Sequence, residues 1–148
     1  EELQRDPTSR RAVVTILGRD EGHWYGVDQP CTTSVQFLIR NNKLITIVTM
    51  RSQDLIWGAG NDVPTFMLYA KLMAAKLAVE LEGLYFNVGS LHVYERHFDM
   101  LEKILSGYDF KILDEIPVVT ADNFDGIIEH GYIDEYSALG AWLREVKL

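Results

Sequence analysis

Two apolar, β-branched runs joined by a short asparagine turn constrain the fold of this chain more than any other feature. Residues 33–40 and 44–50 have the composition of strands, and Asn41-Asn42-Lys43 between them is typical of a tight hairpin. A third β-branched run, residues 12–17, predicts a buried strand earlier in the chain. We therefore expect a β-sheet that is built around the hairpin.

A long helical pattern follows the hairpin. Between residues 63 and 81, apolar side chains recur at helical spacing and charged residues are few. The pattern predicts a helix that is mostly buried. The side chains expected to face inward are Phe66, Met67, Ala70, Met73, Ala74, Leu77 and Leu81.

The remainder of the chain returns to a strand and then becomes helical. Residues 83–91 alternate apolar and polar side chains, which predicts a strand. Residues 94–105 have a helical pattern that ends at Gly107. The other predicted elements are a short strand within 112–119, a helix that runs from the capping residue Thr120 to 129, and an amphipathic helix over 134–146.

Composition limits the possible functions. The 148 residues suffice for one domain with a real core, and the net charge of −8 argues against a broad electrostatic grip on nucleic acid. The single cysteine excludes an internal disulfide framework and favours a cytoplasmic protein. No apolar stretch is long enough to span a bilayer, so we expect no membrane partner. Residues 1–5 resemble the last turns of a helix rather than a natural beginning, so we expect a fragment of a longer protein.

The stretch between the hairpin and the long helix has the composition of a binding site. Residues 51–62 combine a cation, a hydroxyl group, carboxylates and two glycines. Such a composition suits a loop whose backbone folds around a small anionic ligand. A solvated connection between a strand and a helix is the alternative interpretation.

Cys31 is the candidate nucleophile. It follows a proline at the start of the first hairpin strand. A thiolate is a strong nucleophile, and neighbouring arginines would increase the reactive fraction. The alternative, a buried structural thiol, is the more common situation for a lone cysteine.

Arginines and a pair of aromatic residues are the candidate ligands of a phosphate and a sugar. Arg10, Arg11 and Arg51 are suited to gripping a phosphate through forked hydrogen bonds, although surface ion pairs with the many carboxylates would also explain them. His92 and Tyr94 are expected to lie on one face of a strand, where both can bond a sugar hydroxyl. Each alone is more often a half-buried polar residue.

Four motifs occur in order along the chain: Asp6-Pro7-Thr8-Ser9-Arg10-Arg11, Pro30-Cys31 with Gln36-Phe37, Arg51-Ser52-x-Asp54-x-x-x-Gly58, and His92-x-Tyr94. Their order resembles that of the thymidylate synthase family, which includes thymidylate synthases and cytidylate hydroxymethylases. The resemblance covers residues 3–97. It implies an α+β fold in which a kinked mixed sheet is flanked by helices, and a homodimer formed through the sheet. It also implies a single, incomplete domain over residues 1–148, with 106–148 as a divergent helical tail.

The resemblance also assigns a reaction. It implies that Cys31 attacks carbon 6 of a pyrimidine nucleoside monophosphate, so that carbon 5 accepts a one-carbon unit from methylenetetrahydrofolate. No metal is expected. The implied ligands of the nucleotide are Arg51 and Ser52 for the phosphate, Arg10 and Arg11 from the partner subunit, the backbone of Asp54 for the base, and His92 and Tyr94 for the ribose 3′-hydroxyl.

Departures from the family pattern bear on the substrate. The resemblance places Asp62 where thymidylate synthases have an asparagine that recognises uracil, and an aspartate there accompanies cytosine nucleotides in the hydroxymethylases of the family. A one-residue shift would instead place the adjacent Asn61 at that position. Thr32, Met50 and Ser90 also differ from the usual histidine, glutamine and aspartate.

Three functions follow from this resemblance. The family's amino-terminal portion, with its catalytic glutamate, lies outside this chain, so an enzyme is favoured only if the native protein supplies that portion. Cytidylate hydroxymethylation then comes slightly ahead of thymidylate synthesis because of Asp62. The third interpretation is a non-catalytic nucleotide-binding or dimerisation domain.

Overall fold

A mixed β-sheet carries the helices of this protein. The computed structural model describes residues 1–17, 29–107, 117–130 and 141. The described strands are β1 (Val13–Thr15), β2 (Thr32–Arg40), β3 (Lys43–Met50), β4 (Gln53–Asp54), β5 (Glu80–Val88) and β6 (Leu91–His92). The helices are α1 (Glu2–Arg5), α2 (Trp57–Lys76), α3 (Phe98–Leu105) and α4 (Ala121–His130), with a 3₁₀ turn over Glu95–His97. The main sheet has the order β1-β2-β3-β5, and β4 pairs with β6 in a second, two-stranded sheet.

The predicted hairpin is confirmed. Strands β2 and β3 pair antiparallel from Arg40↔Lys43 at the turn to Thr32↔Met50 at the far end. Asn41 and Asn42 have φ values of 51° and 60°. Two consecutive residues with positive φ form the turn that matches the twist of a two-residue hairpin, and asparagine tolerates this conformation better than most residues do.

Helix α2 crosses over the sheet between two parallel strands. It leaves β3 and returns to β5, which pairs parallel with β3. The Phe66 ring of α2 packs edge to face against the Phe86 ring of β5, with the ring centroids 6.0 Å apart. Of the side chains expected to face inward, Phe66, Ala70 and Ala74 are buried, and Met73 and Leu77 pack against the same core. Leu72, on another side of α2, packs against Phe124 and Ile127 of α4.

The predicted limits of this helix were wrong at both ends. The helix begins at Trp57 rather than at 63, because the Asp54 carboxylate accepts hydrogen bonds from the first free backbone amides, so the glycines after it do not prevent a helix. It ends at Lys76, and Ala78 turns the chain with φ of 54°. Residues 80–88 then form β5, so Leu81 belongs to a strand.

A kink divides each of two neighbouring strands into two parts. The chain leaves β3 at Met50 and resumes as β4 at Gln53, while β5 ends at Val88 and resumes as β6 at Leu91. The single strand predicted over 83–91 is therefore interrupted. Hydrogen bonds continue through the break, from Gly89 N to Met50 O at 3.0 Å and from Gln53 N to Ser90 O at 2.8 Å. The kinked mixed sheet expected from the resemblance is present.

One face of the main sheet has no helix packed on it among the described residues. Its central row runs across all four strands through Val13, Gln36, Ile47 and Tyr85. Val13 is 47% exposed and Tyr85 is 53% exposed. The prediction of a buried first strand was wrong, because β1 is short and lies at the edge of the sheet.

The later elements follow the predicted pattern in part. The helix expected over 94–105 begins as the 3₁₀ turn Glu95–His97 before α3, and Gly107 ends it with φ of 79°. Thr120 caps α4, since its Oγ1 accepts from Asn123 N at 3.3 Å. The strand expected within 112–119 is not formed at 117–119, and its first part, like the 134–146 helix, lies outside the described residues. No helix in the described part of the chain is long and apolar enough to cross a membrane.

Candidate functional site

Cys31 and Arg51 lie side by side where the hairpin meets the kink. Cys31 immediately precedes β2 and is exposed. Its carbonyl oxygen accepts a hydrogen bond from Arg51 N at 2.9 Å, so the nucleophile candidate and the phosphate-ligand candidate are joined through the backbone. A register shift between Thr32 and Ser34 opens the hairpin ladder at this same end. Such irregularities re-aim side chains next to binding sites.

The Arg51 guanidinium is held in place by backbone oxygens. Its Nε donates to Pro30 O at 3.1 Å and its Nη2 donates to Gln29 O at 3.0 Å. A guanidinium has five N–H donors in a fixed plane, so the remaining donors can face an anion. The side chain itself is exposed. The site therefore presents an oriented positive charge beside an exposed thiol.

Ser52, His92 and Tyr94 come together on the other side of the kink. The Ser52 hydroxyl lies 3.5 Å from Nδ1 of His92, at the outer limit of a hydrogen bond. The rings of His92 and Tyr94 meet edge to face with centroids 4.9 Å apart. Tyr94 lies beyond the two-residue strand β6, so the two side chains do not alternate along one strand as predicted. The contact between the two rings nevertheless keeps His92 and Tyr94 close together.

The side chain of Asp54 stabilises the start of α2, in addition to the base contact predicted for its backbone. Its Oδ1 accepts from Ile56 N at 3.1 Å and its Oδ2 accepts from Trp57 N at 3.3 Å, which caps the start of α2. The backbone amides on either side, Gln53 N and Leu55 N, donate to the β6 segment at 2.8 Å each. Because successive residues of a strand point to opposite sides, the Asp54 amide points away from β6, toward the open edge.

Asp62 faces the strand β4 from the first turns of α2. Its Oδ2 accepts from Nε2 of Gln53 at 3.2 Å, and Gln53 is only 4% exposed. Burial raises the pKa of the Asp62 carboxyl, and the hydrogen bond from Gln53 partly opposes this shift. A carboxyl group in such a position can act as an acceptor or, when protonated, as a donor.

Asn61 points in a different direction from its neighbour. It is exposed, and its Nδ2 donates to Trp57 O at 2.7 Å within the same helix. Consecutive helical residues lie about 100° apart around the axis, so only one of the two can face β4. Asp62 is that residue, and Asn61 is not directed at the site.

Arg10 and Arg11 are separated from Arg51 within one chain. Arg11 Nη2 pairs with the Glu2 carboxylate at 3.0 Å, and Arg10 O accepts from Nε2 of Gln36 at 2.9 Å. Gln36 lies five positions along β2 from Cys31, which corresponds to about 16 Å of extended strand. Both arginines are exposed. A single copy of the chain therefore keeps this pair at a distance from the cysteine.

Three residues at the site were missed by sequence reasoning. Gln53 bonds Asp62, and its place in the Arg-Ser-Gln-Asp run was a signal that could have been used. Trp57, 57% exposed, donates its indole N–H to Nε2 of His97 at 2.9 Å. The Nδ1 of His97 is buried without a partner among the described residues. Trp57 and His97 are far apart in sequence, so no local pattern predicts their contact.

Comparison with known proteins places these features in a family. A family model described as thymidylate synthase matches residues 1–127. The deoxycytidylate 5-hydroxymethyltransferase of Enterobacteria phage T4 is 34% identical, over 68% of this chain and 46% of that protein. The deoxyuridylate hydroxymethyltransferase of Bacillus phage SP01 is 33% identical, over 87% of this chain and 35% of that protein. A thymidylate synthase of Bacillus atrophaeus is 31% identical, over 68% of this chain and 44% of that protein.

A solved structure agrees with this assignment. The thermostable thymidylate synthase A from Bacillus subtilis superimposes with a TM-score of 0.68 and 28% identity, over 76% of this chain and 40% of that one. The predicted family and the mixed sheet flanked by helices are therefore confirmed. The chain spans less than half the length of each of these relatives.

Proposed function

Because this chain belongs to the thymidylate synthase family, we propose that it forms part of an enzyme that transfers a one-carbon unit to carbon 5 of a pyrimidine nucleoside monophosphate. The observation that carries the proposal is the convergence at the kink. There, the Arg51 amide bonds the Cys31 carbonyl at 2.9 Å, and the Ser52 hydroxyl approaches His92 at 3.5 Å. A nucleophile, a phosphate ligand and a sugar ligand thus share one end of the sheet. Methylenetetrahydrofolate supplies the one-carbon unit as a co-substrate.

Cys31 is the nucleophile in this proposal. Its thiolate adds to carbon 6 of the pyrimidine ring, which makes carbon 5 electron-rich and able to attack the one-carbon donor. The exposure of the thiol at the start of β2 supports this role, since a buried structural thiol could not reach a substrate. A single free thiol on the surface also fits a reducing, cytoplasmic setting.

The nucleotide lies with its phosphate against Arg51 and its sugar against His92. Arg51 keeps donors for the phosphate after bonding Pro30 and Gln29, and Ser52 adds a hydroxyl beside it. His92 and Tyr94 hold the ribose 3′-hydroxyl, and the outward-pointing Asp54 amide contacts the base.

A second copy of the chain completes the phosphate site. The uncovered sheet face, with Val13, Ile47 and Tyr85 in one row, is suited to a homodimer interface. Arg10 and Arg11 precede the edge strand of that face, about 16 Å of strand away from their own Cys31. Pairing across the face brings the arginines of one copy to the phosphate of the other.

Asp62 makes cytidylate the preferred substrate, so the favoured reaction is cytidylate hydroxymethylation. Its carboxylate faces the site from α2, while Asn61 is bonded to its own helix. A carboxylate accepts from the exocyclic amine of cytosine but meets a carbonyl oxygen in uracil, which leaves a desolvated acceptor unpaired at about 1–3 kcal/mol. Relatives of this chain include deoxycytidylate and deoxyuridylate hydroxymethyltransferases as well as thymidylate synthases, so the proposed base preference rests on Asp62 alone.

Competition titrations test the base preference. Cytidylate is expected to bind the native protein at least about tenfold more tightly than uridylate, which corresponds to about 1.4 kcal/mol. Asp62→Asn is expected to erase or reverse this preference, because an amide supplies the donor that uracil needs. Tighter binding of uridylate by the unmodified protein would contradict the assignment and make thymidylate synthesis the better description. Binding of neither nucleotide would favour a non-catalytic domain.

A further inference from the structure

Gln53 has a buried side-chain amide that takes no part in the proposed reaction. It lies in β4, and its backbone N–H donates to Ser90 O at 2.8 Å, which fixes it in the β4–β6 ladder. Its side chain is 4% exposed, and Nε2 donates to Oδ2 of Asp62 at 3.2 Å. A buried amide aimed at a functional carboxylate can control what that carboxylate presents to a ligand.

We infer that Gln53 is the positioning residue that sets the base preference, by holding one oxygen of Asp62 so that the other faces the nucleotide. This inference rests on the proposed function, in which Asp62 contacts the base. Gln53 itself touches no substrate. It acts through the orientation of Asp62.

The hydrogen bond decides which atom of residue 62 is left for a ligand. Among the described residues, the carboxylate of Asp62 accepts a hydrogen bond only from Gln53, and only on Oδ2. Oδ1 is then the atom that accepts from the exocyclic amine of cytosine. An asparagine at the same position would turn its amide oxygen toward the Gln53 N–H and present its NH₂ group instead. The NH₂ group suits the carbonyl of uracil, so one glutamine orients both alternatives.

The packing around this pair favours a single arrangement. Gly58 lies in the first turn of α2, and a Cβ built on it would lie 3.5 Å from Asp54 Cβ, 3.6 Å from Gln53 Cγ and 3.8 Å from Asp62 Oδ2. The helix therefore packs directly over the pair. A side chain held in this way by packing and by a hydrogen bond keeps one rotamer, which is the condition for selecting between two bases.

Removal of the donor is expected to loosen this control. Gln53→Met keeps the length of the side chain and its burial but offers no hydrogen to Oδ2. The carboxyl group can then rotate, and burial favours its protonated form, which can donate to the uracil carbonyl. Uridylate should gain affinity while cytidylate loses part of its advantage.

The test is a double-mutant cycle read as the ratio of the two affinities. Competition titrations would use cytidylate and uridylate as probes with the full protein and its Gln53→Met, Asp62→Asn and doubly substituted variants. Gln53→Met is expected to reduce the cytidylate preference from about tenfold to below about threefold. Asp62→Asn should shift the preference toward uridylate in both backgrounds. The shift should be smaller in the Gln53→Met variant than in the unmodified protein, because without Gln53 nothing orients the new asparagine side chain.

Controls separate positioning from a general loss of structure. Gln4→Met, an exposed glutamine of α1, should leave the ratio unchanged. Gln53→Asn keeps the polar amide but is one carbon too short to reach Asp62, so it should lower the ratio of cytidylate to uridylate affinity as Gln53→Met does. If the methionine variant does not fold, the asparagine variant tests the inference in its place. Equal weakening of both nucleotides, or an unchanged ratio, would overturn the inference while Asp62→Asn still shifts the preference. If Asp62→Asn has no effect, the base assignment itself fails.

Discussion

Gly89→Ala tests whether the kink in the sheet holds Arg51 in place. A Cβ at position 89 would lie 3.0 Å from the carbonyl oxygen of Arg51 and 3.7 Å from that of Met50. The Arg51 backbone has little freedom to move aside, because its N–H is bonded to Cys31 O and Gly89 N is bonded to Met50 O. Overpacking of this kind lowers the free energy of unfolding by about 1–3 kcal/mol. Alanine also reduces the entropy of the unfolded chain, which offsets about 0.4–1 kcal/mol of this loss. From the middle of each range we expect a net loss of about 1.3 kcal/mol, which corresponds to about 4 °C in Tm.

Urea and thermal unfolding measure the stability, and nucleotide titration measures the consequence at the site. Displacement of Arg51 should weaken binding of a nucleoside monophosphate more than binding of the nucleoside. Gly60→Ala is the matched control, because nothing lies within 4 Å of its added Cβ and alanine favours a helix by up to about 1 kcal/mol. If Gly89→Ala proves as stable as the unmodified protein, the close approach at the kink does not constrain the backbone.

Three further predictions concern an ion pair, a partly buried carboxyl group and the phosphate ligand. Lys76→Met should lower the free energy of unfolding by about 1 kcal/mol in urea titrations, since its partly buried Nζ lies 2.7 Å from Asp125 Oδ2, whereas Lys43→Met, in a looser surface pair, should cost less. The raised pKa of Asp62 means that the folded state favours its neutral form, a stabilisation present below the ordinary value of 3.8 and lost as pH rises through the folded pKa. The Asp62→Asn variant should therefore be more stable than the unmodified protein at about pH 7. The urea midpoints of the two proteins should converge as pH falls toward 3.8. Arg51→Ala should weaken nucleotide binding by about 1.5–3 kcal/mol, and calorimetry that finds equal affinities of the unmodified protein for nucleoside and nucleotide would exclude this role.

Elements that depend on local pattern were predictable from the sequence. The Asn41-Asn42 turn and the two alternating runs beside it define the hairpin, because turn conformation and side-chain alternation are properties of neighbouring residues. The inward face of α2 at Phe66 and Ala70 follows from helical spacing in the same way.

Features that depend on contacts between distant segments were not predictable. Asp54 extends α2 by a turn and a half because its carboxylate caps the helix, which overrides the poor helix propensity of the glycines that follow. The exposure of β1 depends on its place at the sheet edge rather than on its valines. The bond from Gln53 to Asp62 exists only because α2 folds back over β4.

The candidate site was predicted from family motifs, and the structure brings part of the predicted residues together within one chain. Cys31, Arg51, Ser52, His92 and Asp62 lie around the kink, so their grouping agrees with the order of the motifs. The assignment of Arg10 and Arg11 to the phosphate of a second copy stays a prediction. Periodicity and composition describe the faces of single elements, and they carry no information on whether a face meets another subunit.

Covalent trapping at Cys31 tests the central claim most directly. The full protein would be incubated with a 5-fluoropyrimidine nucleoside monophosphate and methylenetetrahydrofolate, and the labelled peptide would be identified by mass spectrometry. Fluorine at carbon 5 blocks the loss of the ring proton, so a nucleophile that has added to carbon 6 stays attached. We predict a ternary adduct on the Cys31 peptide, and none with Cys31→Ser, which should still bind the nucleotide. Bound nucleotide with no adduct on Cys31 would contradict the proposed catalysis.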